Sequence, residues 1–383
     1  MWSGRLIRND FWKILNPAHI KTKNRALMIV SNLLLMALAG TALTSILILV
    51  LRRPALAVGY TDNPQGRKQH KNPVPPIGGV ITFPVLIFLT ALAGFDWLAH
   101  WYLALAIVVS LAMGAIDDVY FLRSYQKFLI QIGVAFLLVM PGGATISSLG
   151  NLLGFGPIDL GLFAVPFSLF CMVLLINAIN MIDGMDGLSG GVGLIMLALF
   201  GWFAFAAGRG DLLALSLISF GALSGFTLLN MRFPWQKQAR IFLGDAGSLS
   251  LGCLIGWLAI TLYNSPEATI PSMTLGWILA FPVMDAFALF ALRLSEKRSP
   301  FSADRYHFHH ILRDSGLRAS ISVMIIHGVH ILYAGIALCL YSTGGAYEWL
   351  YFYVWAGILA IHTVLVFKAN TTEKFIHSFF RTE

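Results

Sequence analysis

Acidic residues are scarce in this chain: aspartate and glutamate together number 18 in 383 residues, and all charged residues make up only 11%. With 57% hydrophobic residues and a mean hydropathy of +0.76, the stretches between apolar runs are too short to hold a soluble domain. Cysteine is scarcer still. Cys171, Cys253 and Cys339 sit apart in apolar stretches, which argues against a disulfide framework or a cysteine metal site and for free buried thiols. Polar–apolar alternation is also missing, so a transmembrane barrel is disfavoured and helices are expected. The formal charge of +8 is spread over many short segments rather than gathered in a stripe. That dispersal argues against a nucleic-acid partner and for anionic lipid headgroups or anionic substrates.

What the chain does have is long apolar runs. Eleven of them approach the roughly 20 residues that a helix needs to cross about 30 Å of hydrocarbon. They are residues 28–51, 77–95, 98–116, 126–141, 161–179, 188–207, 212–230, 247–264, 273–294, 321–342 and 349–368. The expected fold class is therefore all-α, a polytopic integral membrane protein with about 11 transmembrane helices. A basic N-terminal tail (1–27) precedes the membrane domain (28–368), and a short tail (369–383) follows it. The first run is too long for a signal-peptide core and is read as a retained helix. Nineteen of the 26 Lys and Arg residues fall in segments 52–76, 117–127, 231–246, 293–318 and the tail from 368, and only Arg209 lies in the opposite loops. The positive-inside bias places those five segments in the cytoplasm. Six basic residues before position 26 oppose that assignment for an eleven-span chain.

The few acids are not scattered. Asp117-Asp118, Asp183 with Asp186, and Asp245 each end or begin an apolar run, and all three groups fall on the expected cytoplasmic side. An ionised aspartate at a bilayer centre costs about 2.5–3.5 kcal/mol on insertion scales, so recurrence at one face points to a polar site. Adjacent carboxylates on a helix diverge by about 100°, which suits Asp117 and Asp118 to different tasks: one facing a nucleophile, the other holding a neighbouring helix. Lys127 is the nearby cation expected to keep both ionised. In N-A-I-N-M-I-D-G-M-D-G-L (177–188), Asn177, Asn180, Asp183 and Asp186 recur every three residues, a polar stripe offering acceptors to a hard cation and donors to a base or sugar. Gly184 and Gly187 loosen the backbone there. Asp245 lies between glycines at the start of a span, where backbone amides favour anions and the carboxylate favours Mg²⁺. Read alone, it could equally be a helix cap.

The loop S-P-F-S-A-D-R-Y-H-F-H-H (299–310) crowds Arg305, His307, His309 and His310 into six residues. Without cysteine or a spaced carboxylate nearby, diphosphate recognition is preferred over zinc. Arg67, Lys68, His70 and Lys71 in the first loop are further candidates for phosphate contact. His327, His330 and His362 stand singly in apolar runs, as packing or interhelical hydrogen-bond partners.

Taken together and in this order, D-N-P…H…P…G-G, A-I-D-D, N-A-I-N-M-I-D-G-M-D-G-L, F-L-G-D-A-G-S and S-P-F-S-A-D-R-Y-H-F-H-H resemble the polyprenyl-phosphate N-acetylhexosamine-1-phosphate transferases, over residues 52–315. The H-x-H-H loop is similar to that of the bacterial undecaprenyl-phosphate N-acetylglucosamine-1-phosphate branch. The resemblance implies transfer of a sugar 1-phosphate from a UDP-N-acetylhexosamine to undecaprenyl phosphate, with release of UMP, at the cytoplasmic face of the bacterial inner membrane. It implies Mg²⁺, with Mn²⁺ as the alternative ion, held by Asp245 with Asn180 as a second contact. Asp117, with Asp118 beside it, resembles the acid that deprotonates or orients the lipid phosphate. Asp186 and Gly184 resemble the uracil-reading positions, Asp183 lines the nucleotide site, and Asn177 belongs to the same stripe. His307, His309, His310 and Arg305 correspond to the diphosphate and sugar contacts, with Lys127 as a phosphate cation. Tunicamycin sensitivity and a lipid-bilayer setting follow, and a homodimer is compatible. The alternatives are another donor of the fucosamine or quinovosamine type, and an ion-coupled transporter.

Overall fold

The computed structural model describes residues 17–61, 73–299 and 306–380. Fourteen α-helices form in chain order among them, with no strand beyond the isolated bridges Ser148–Asp159 and Phe233–Gln236. The membrane-length helices are α1 (Pro17–Ala57), α3 (Trp101–Tyr120), α5 (Ala164–Ile182, led by a 3-10 turn at Gly161–Phe163), α6 (Leu188–Ala206), α7 (Gly210–Asn230), α8 (Gly244–Tyr263), α12 (Ala319–Ser342) and α13 (Glu348–Phe367). Between them lie α2 (Gly78–Leu92), α4 (Ser124–Val139), α9 (Ser272–Ile278), α10 (Ala280–Ser295), α11 (Phe308–Asp314) and, last, α14 (Ala369–Phe380).

Each of the eleven expected runs becomes helix, but eleven crossings are not established. Eight helices are long and apolar enough, and α9 with α10 makes a ninth if the pair is one span. The helices α2 and α4, of 15 and 16 residues, fall short of the roughly 20 needed for a straight crossing. The α9–α10 pair bends by 77° at Leu279. Pro282 supplies the cause, since its nitrogen cannot donate to the carbonyl of Ile278 and a continuous helix would lose that bond. The first run is expected to end at 51, but α1 continues through Arg52-Arg53-Pro54 to Ala57. Its described start at Pro17 lies inside the expected N-terminal tail. The C-terminal tail also contains helix, α14.

The helix α8 is the axis of the bundle, with 89% of its apolar window buried, whereas α13 has 11% and α1 28%. Small residues bring its neighbours close. A Cβ on Gly114 of α3 would collide with the backbone of Asp245 and Ala246, and one on Gly79 of α2 with that of Gly247. Only glycine permits these approaches, and they fix the first turn of α8 against α2 and α3. The chain before α8 is tied down by Gly78 N–H to Phe242 O (3.0 Å), Gly79 N–H to Leu243 O (2.9 Å) and Phe242 N–H to Pro75 O (3.1 Å). All three cysteines are free; Cys253 is buried, Cys171 half-buried and Cys339 exposed, so the expectation of burial holds only for the first.

Candidate active site

At one end of the bundle, the α3–α4 turn, the α5–α6 turn, the start of α8 and the short helix α11 converge on a cavity of about 520 Å³. Asp117, Asp118, Asp183, Asp186 and Asp245 all line it, together with Gly184, His310, Arg232 and Arg313. Five carboxylates from three chain segments thus share one cavity with two guanidiniums.

Asp117 is buried near the end of α3. The chain reverses at Phe121, whose φ of 54° is left-handed, and this returns Leu122 N–H to Asp117 Oδ1 at 2.7 Å. A phenylalanine in that region carries about 1–2 kcal/mol of strain. The other Asp117 oxygen accepts from Lys127 Nζ at 2.7 Å, and the same ammonium lies 3.3 Å from Asp245 Oδ2. Lys127 therefore bridges Asp117 and Asp245 rather than the adjacent pair the sequence pointed to. Asp118 turns the other way: its Oδ1 accepts Asp245 N–H at 3.1 Å, so it caps α8 from a neighbouring helix. Its Oδ2 is buried, and the Tyr60 hydroxyl lies beside the carboxylate. Asp245 Oδ1 accepts from Asn180 Nδ2 at 3.1 Å, and that amide also donates to Ser248 Oγ at 2.9 Å.

The helix α5 ends at Ile182, and the turn 183–187 closes with Gly187 at φ 87°. The Asp183 carboxylate accepts from Ser189 Oγ. Burial, then the charges of Asp245 and Asp186, push its pKa up to about 7, against the lowering effect of the Ser189 bond. A carboxyl with a folded pKa above its unfolded value holds its proton more tightly in the native state. Stability from it is full below about pH 4 and lost as pH rises towards 7. Asp183→Asn should therefore raise the melting temperature of the ligand-free protein at pH 8 and leave it unchanged at pH 4; equal shifts at both values would remove the titration.

Asp186 is fixed by Arg232 Nε (2.6 Å) and by Ala239 N–H (3.2 Å), both from the α7–α8 loop. Asn230 joins the same walls, its Oδ1 accepting Gly187 N–H at 2.6 Å and its Nδ2 donating to Ile241 O at 2.8 Å. Arg232, Asn230 and Arg313 were not picked out from the sequence. Arg232 stands 46 residues from its acid, and only the hairpin of α6 and α7 brings them together.

Five expected contacts are absent from the cavity lining: Lys127 and Asn180, which are bonded to Asp245, and three that stand behind the wall. Asn177 spends its amide on Gln131 Oε1 (2.7 Å) and Val173 O (2.8 Å), an interhelical seam with α4. His307 and His309 are buried, and neither lines the cavity. Neither ring nitrogen of His309 has a partner among the described residues, and a Cβ on Gly184 would strike His309 Nε2. Burial, with His307 and His310 beside it, holds the His309 pKa well below its usual value, so the ring is neutral. Gly184→Ala should push that imidazole and the 183–187 turn apart and lower the melting temperature; an unchanged transition would show that the turn absorbs a methyl. Arg305 lies outside the described residues, as do Arg67, Lys68, His70 and Lys71.

Asp285, buried inside α10, anchors the histidine segment. Its carboxylate accepts Phe308 N–H at 3.0 Å and lies 3.0 Å from His307 Nδ1 and 3.3 Å from His362 Nε2. A carboxylate only accepts, which assigns the protons to Nδ1 of His307 and Nε2 of His362. Asp285, His307 and His309 bring candidate ligand atoms within 4.8 Å of one another, the carboxylate that the sequence lacked for a metal set. Of the other single histidines, His327 bonds Leu188 O at 3.3 Å and His330 packs buried.

A family model described as glycosyl transferase family 4 matches residues 100–263, the stretch from α3 to the end of α8. A curated undecaprenyl-phosphate alpha-N-acetylglucosaminyl 1-phosphate transferase of Haemophilus influenzae is 31% identical over 300 residues, covering 78% of this chain and 84% of its own. The chain belongs to this transferase family. Proteins of the same description from Escherichia coli O157:H7 (28% over 334 residues; 87% and 90% of the two chains) and Salmonella typhi (28% over 308 residues; 80% and 83%) agree. The matched stretch carries Asp117, Asp118, Asp183, Asp186 and Asp245, so the family segment and the acidic cavity coincide.

Proposed function

We propose that this multi-pass protein transfers N-acetylglucosamine 1-phosphate from UDP-N-acetylglucosamine to undecaprenyl phosphate at the cytoplasmic face of the bacterial inner membrane. The carrying observation is the single cavity walled by five aspartates at a helix-bundle end. An oxygen of the lipid monophosphate attacks the β-phosphorus of the donor, the bond from that phosphorus to the bridging oxygen breaks, and UMP leaves. One phosphoanhydride replaces another, so no external energy source is required, and positioning plus charge neutralisation supply the rate.

Five carboxylates facing an anionic donor require cations, and the oxygen-rich set, with Asn180 beside Asp245, suits a hard divalent ion. Asp245 and Asn180 would hold Mg²⁺, which when bound neutralises charge on the diphosphate. Lys127, already between Asp117 and Asp245, offers a phosphate its ammonium, and Asp117 orients the incoming acceptor. Asp118 keeps Asp245 in place. Asp183, Gly184 and Asp186 receive the nucleotide, with Arg232 steadying Asp186; His310 and Arg313 face the diphosphate and sugar.

The alternative of an ion-coupled transporter is disfavoured by the placement of acids. Asp285, the acid within a span, is engaged by two imidazoles and a backbone amide rather than facing a path. The test is UMP release by purified protein with undecaprenyl phosphate and Mg²⁺, across UDP-N-acetylglucosamine, its 4-epimer and fucosamine-type donors. Turnover with the first, blocked by tunicamycin, is expected. Turnover with only another donor reassigns the sugar, and no UMP with any donor overturns the reading.

A further inference from the structure

A second cleft lies away from the acidic cavity, where the end of α1 meets the loop between α7 and α8. Arg52, Arg53 and Arg240 line it with Leu49 and Val50. Arg52 Nε donates to Arg240 O at 2.9 Å, which ties α1 to that loop. Among the described residues, no carboxylate lines the cleft and none of the three guanidiniums makes an ion pair. Three like charges around one cleft repel unless an anion joins them.

The surroundings say which anion. Ile46, Leu49 and Val50 are exposed on α1 and run from the arginines into the apolar length of the helix, a track for an acyl chain. On the adjoining loop Trp235, 78% exposed, stacks on Phe233 with ring centroids 5.1 Å apart. An exposed tryptophan beside basic residues at the end of a membrane helix marks headgroup depth. We propose that this cleft binds the phosphate of an anionic glycerophospholipid, with its acyl chain along Ile46, Leu49 and Val50. The same loop carries the two groups that hold Asp186, Arg232 Nε and Ala239 N–H, and Ala239 directly precedes Arg240. Lipid bound at Arg240 therefore steadies one wall of the acidic cavity.

The test compares the full-length protein in nanodiscs of phosphatidylcholine with and without phosphatidylglycerol, reading co-purified lipid by native mass spectrometry. Basic groups at a membrane surface are each worth roughly a factor of five in anionic-lipid binding. Wild type should retain phosphatidylglycerol selectively, Arg53→Gln about fivefold less, and Arg52→Gln/Arg53→Gln/Arg240→Gln at least tenfold less. Lys368→Gln/Lys374→Gln, with two charges removed at the end of α13 and on α14, should retain it as wild type does. Equal retention by wild type and the triple variant overturns the site. Displacement of the lipid by millimolar inorganic phosphate overturns the lipid assignment in favour of a free-anion site. Arg53 makes no hydrogen bond to another residue among those described, so its single variant keeps the test open if the triple variant misfolds. A second arm rests on the transferase reading: donor KM should fall several-fold with phosphatidylglycerol in wild type and not in the triple variant. A wild-type KM indifferent to lipid removes the link to Asp186, whereas absence of any turnover fails the transferase reading and leaves the retention arm intact.

Discussion

Asp245→Asn is expected to reduce UMP release by roughly 10²–10⁴-fold, the loss of several kcal/mol of charge stabilisation at the diphosphate. The fold should survive, because what positions residue 245 is mostly backbone. Its N–H donates to Asp118, and its turn is packed against Gly114 and Gly79. Asparagine retains an oxygen for the Asn180 amide, and Lys127 keeps its shorter contact to Asp117 at 2.7 Å. The change removes charge with little change of shape. A thermal transition within a few degrees of wild type, together with lost turnover that excess Mg²⁺ only partly restores, is the expected pair of results. Wild-type turnover in magnesium buffer would sink the assignment of Asp245 as the metal ligand.

Asp118→Asn provides the contrast. Asp118 lines the cavity but spends one carboxylate oxygen on the backbone N–H of residue 245, so its loss should displace the first turn of α8 and lower both stability and activity. The sequence reading separated these adjacent acids from helical geometry alone, and the structure gives each a different neighbour. It could not say which neighbour, because Lys127 reaches Asp245 only when α3, α4 and α8 lie side by side.

Much of the architecture was legible because membrane crossing imposes a length and a composition on each segment. The acids were legible because charge is costly in apolar surroundings and so stands out. What stayed hidden depends on chain folding over distance. Arg232 is one basic residue among many until the α6–α7 hairpin sets it on Asp186. Asn177 shares the three-residue rhythm of Asn180 and Asp183, yet points to Gln131, since a helical stripe drifts and α4 takes up its far end. His309 belongs to a histidine cluster that reads as a diphosphate contact, but α11 turns that ring inward under Gly184. The helix α14 escaped notice because its apolar residues occupy one face of a short, mixed segment.

Asp285→Ala should be nearly as damaging as Asp245→Asn, and by a different route. The carboxylate is fully buried, and Phe308 N–H, His307 and His362 converge on it from α11 and α13. Alanine leaves those donors without an acceptor, and each stranded polar group costs roughly 1–3 kcal/mol. The helix α11 has seven residues, too few to persist without tertiary support. Released from Asp285, it should carry His310 and Arg313 away from the cavity wall, raising donor KM and lowering kcat/KM by roughly 10²-fold. Asp285→Asn separates position from charge. Its oxygen still accepts Phe308 N–H, so α11 stays, but its amide confronts the Nδ1–H of His307 and forces the other tautomer. That variant should keep most of the donor affinity and lose part of kcat. Elemental analysis of wild type and the alanine variant adds the remaining distinction: a metal present in the first at one equivalent more than in the second would make Asp285, His307 and His309 a ligand set. Equal metal content with the kinetic losses intact would make them a hydrogen-bonded anchor. Wild-type kinetics in the alanine variant would mean that α11 is held elsewhere and that Asp285 serves only the packing of α10 against α13.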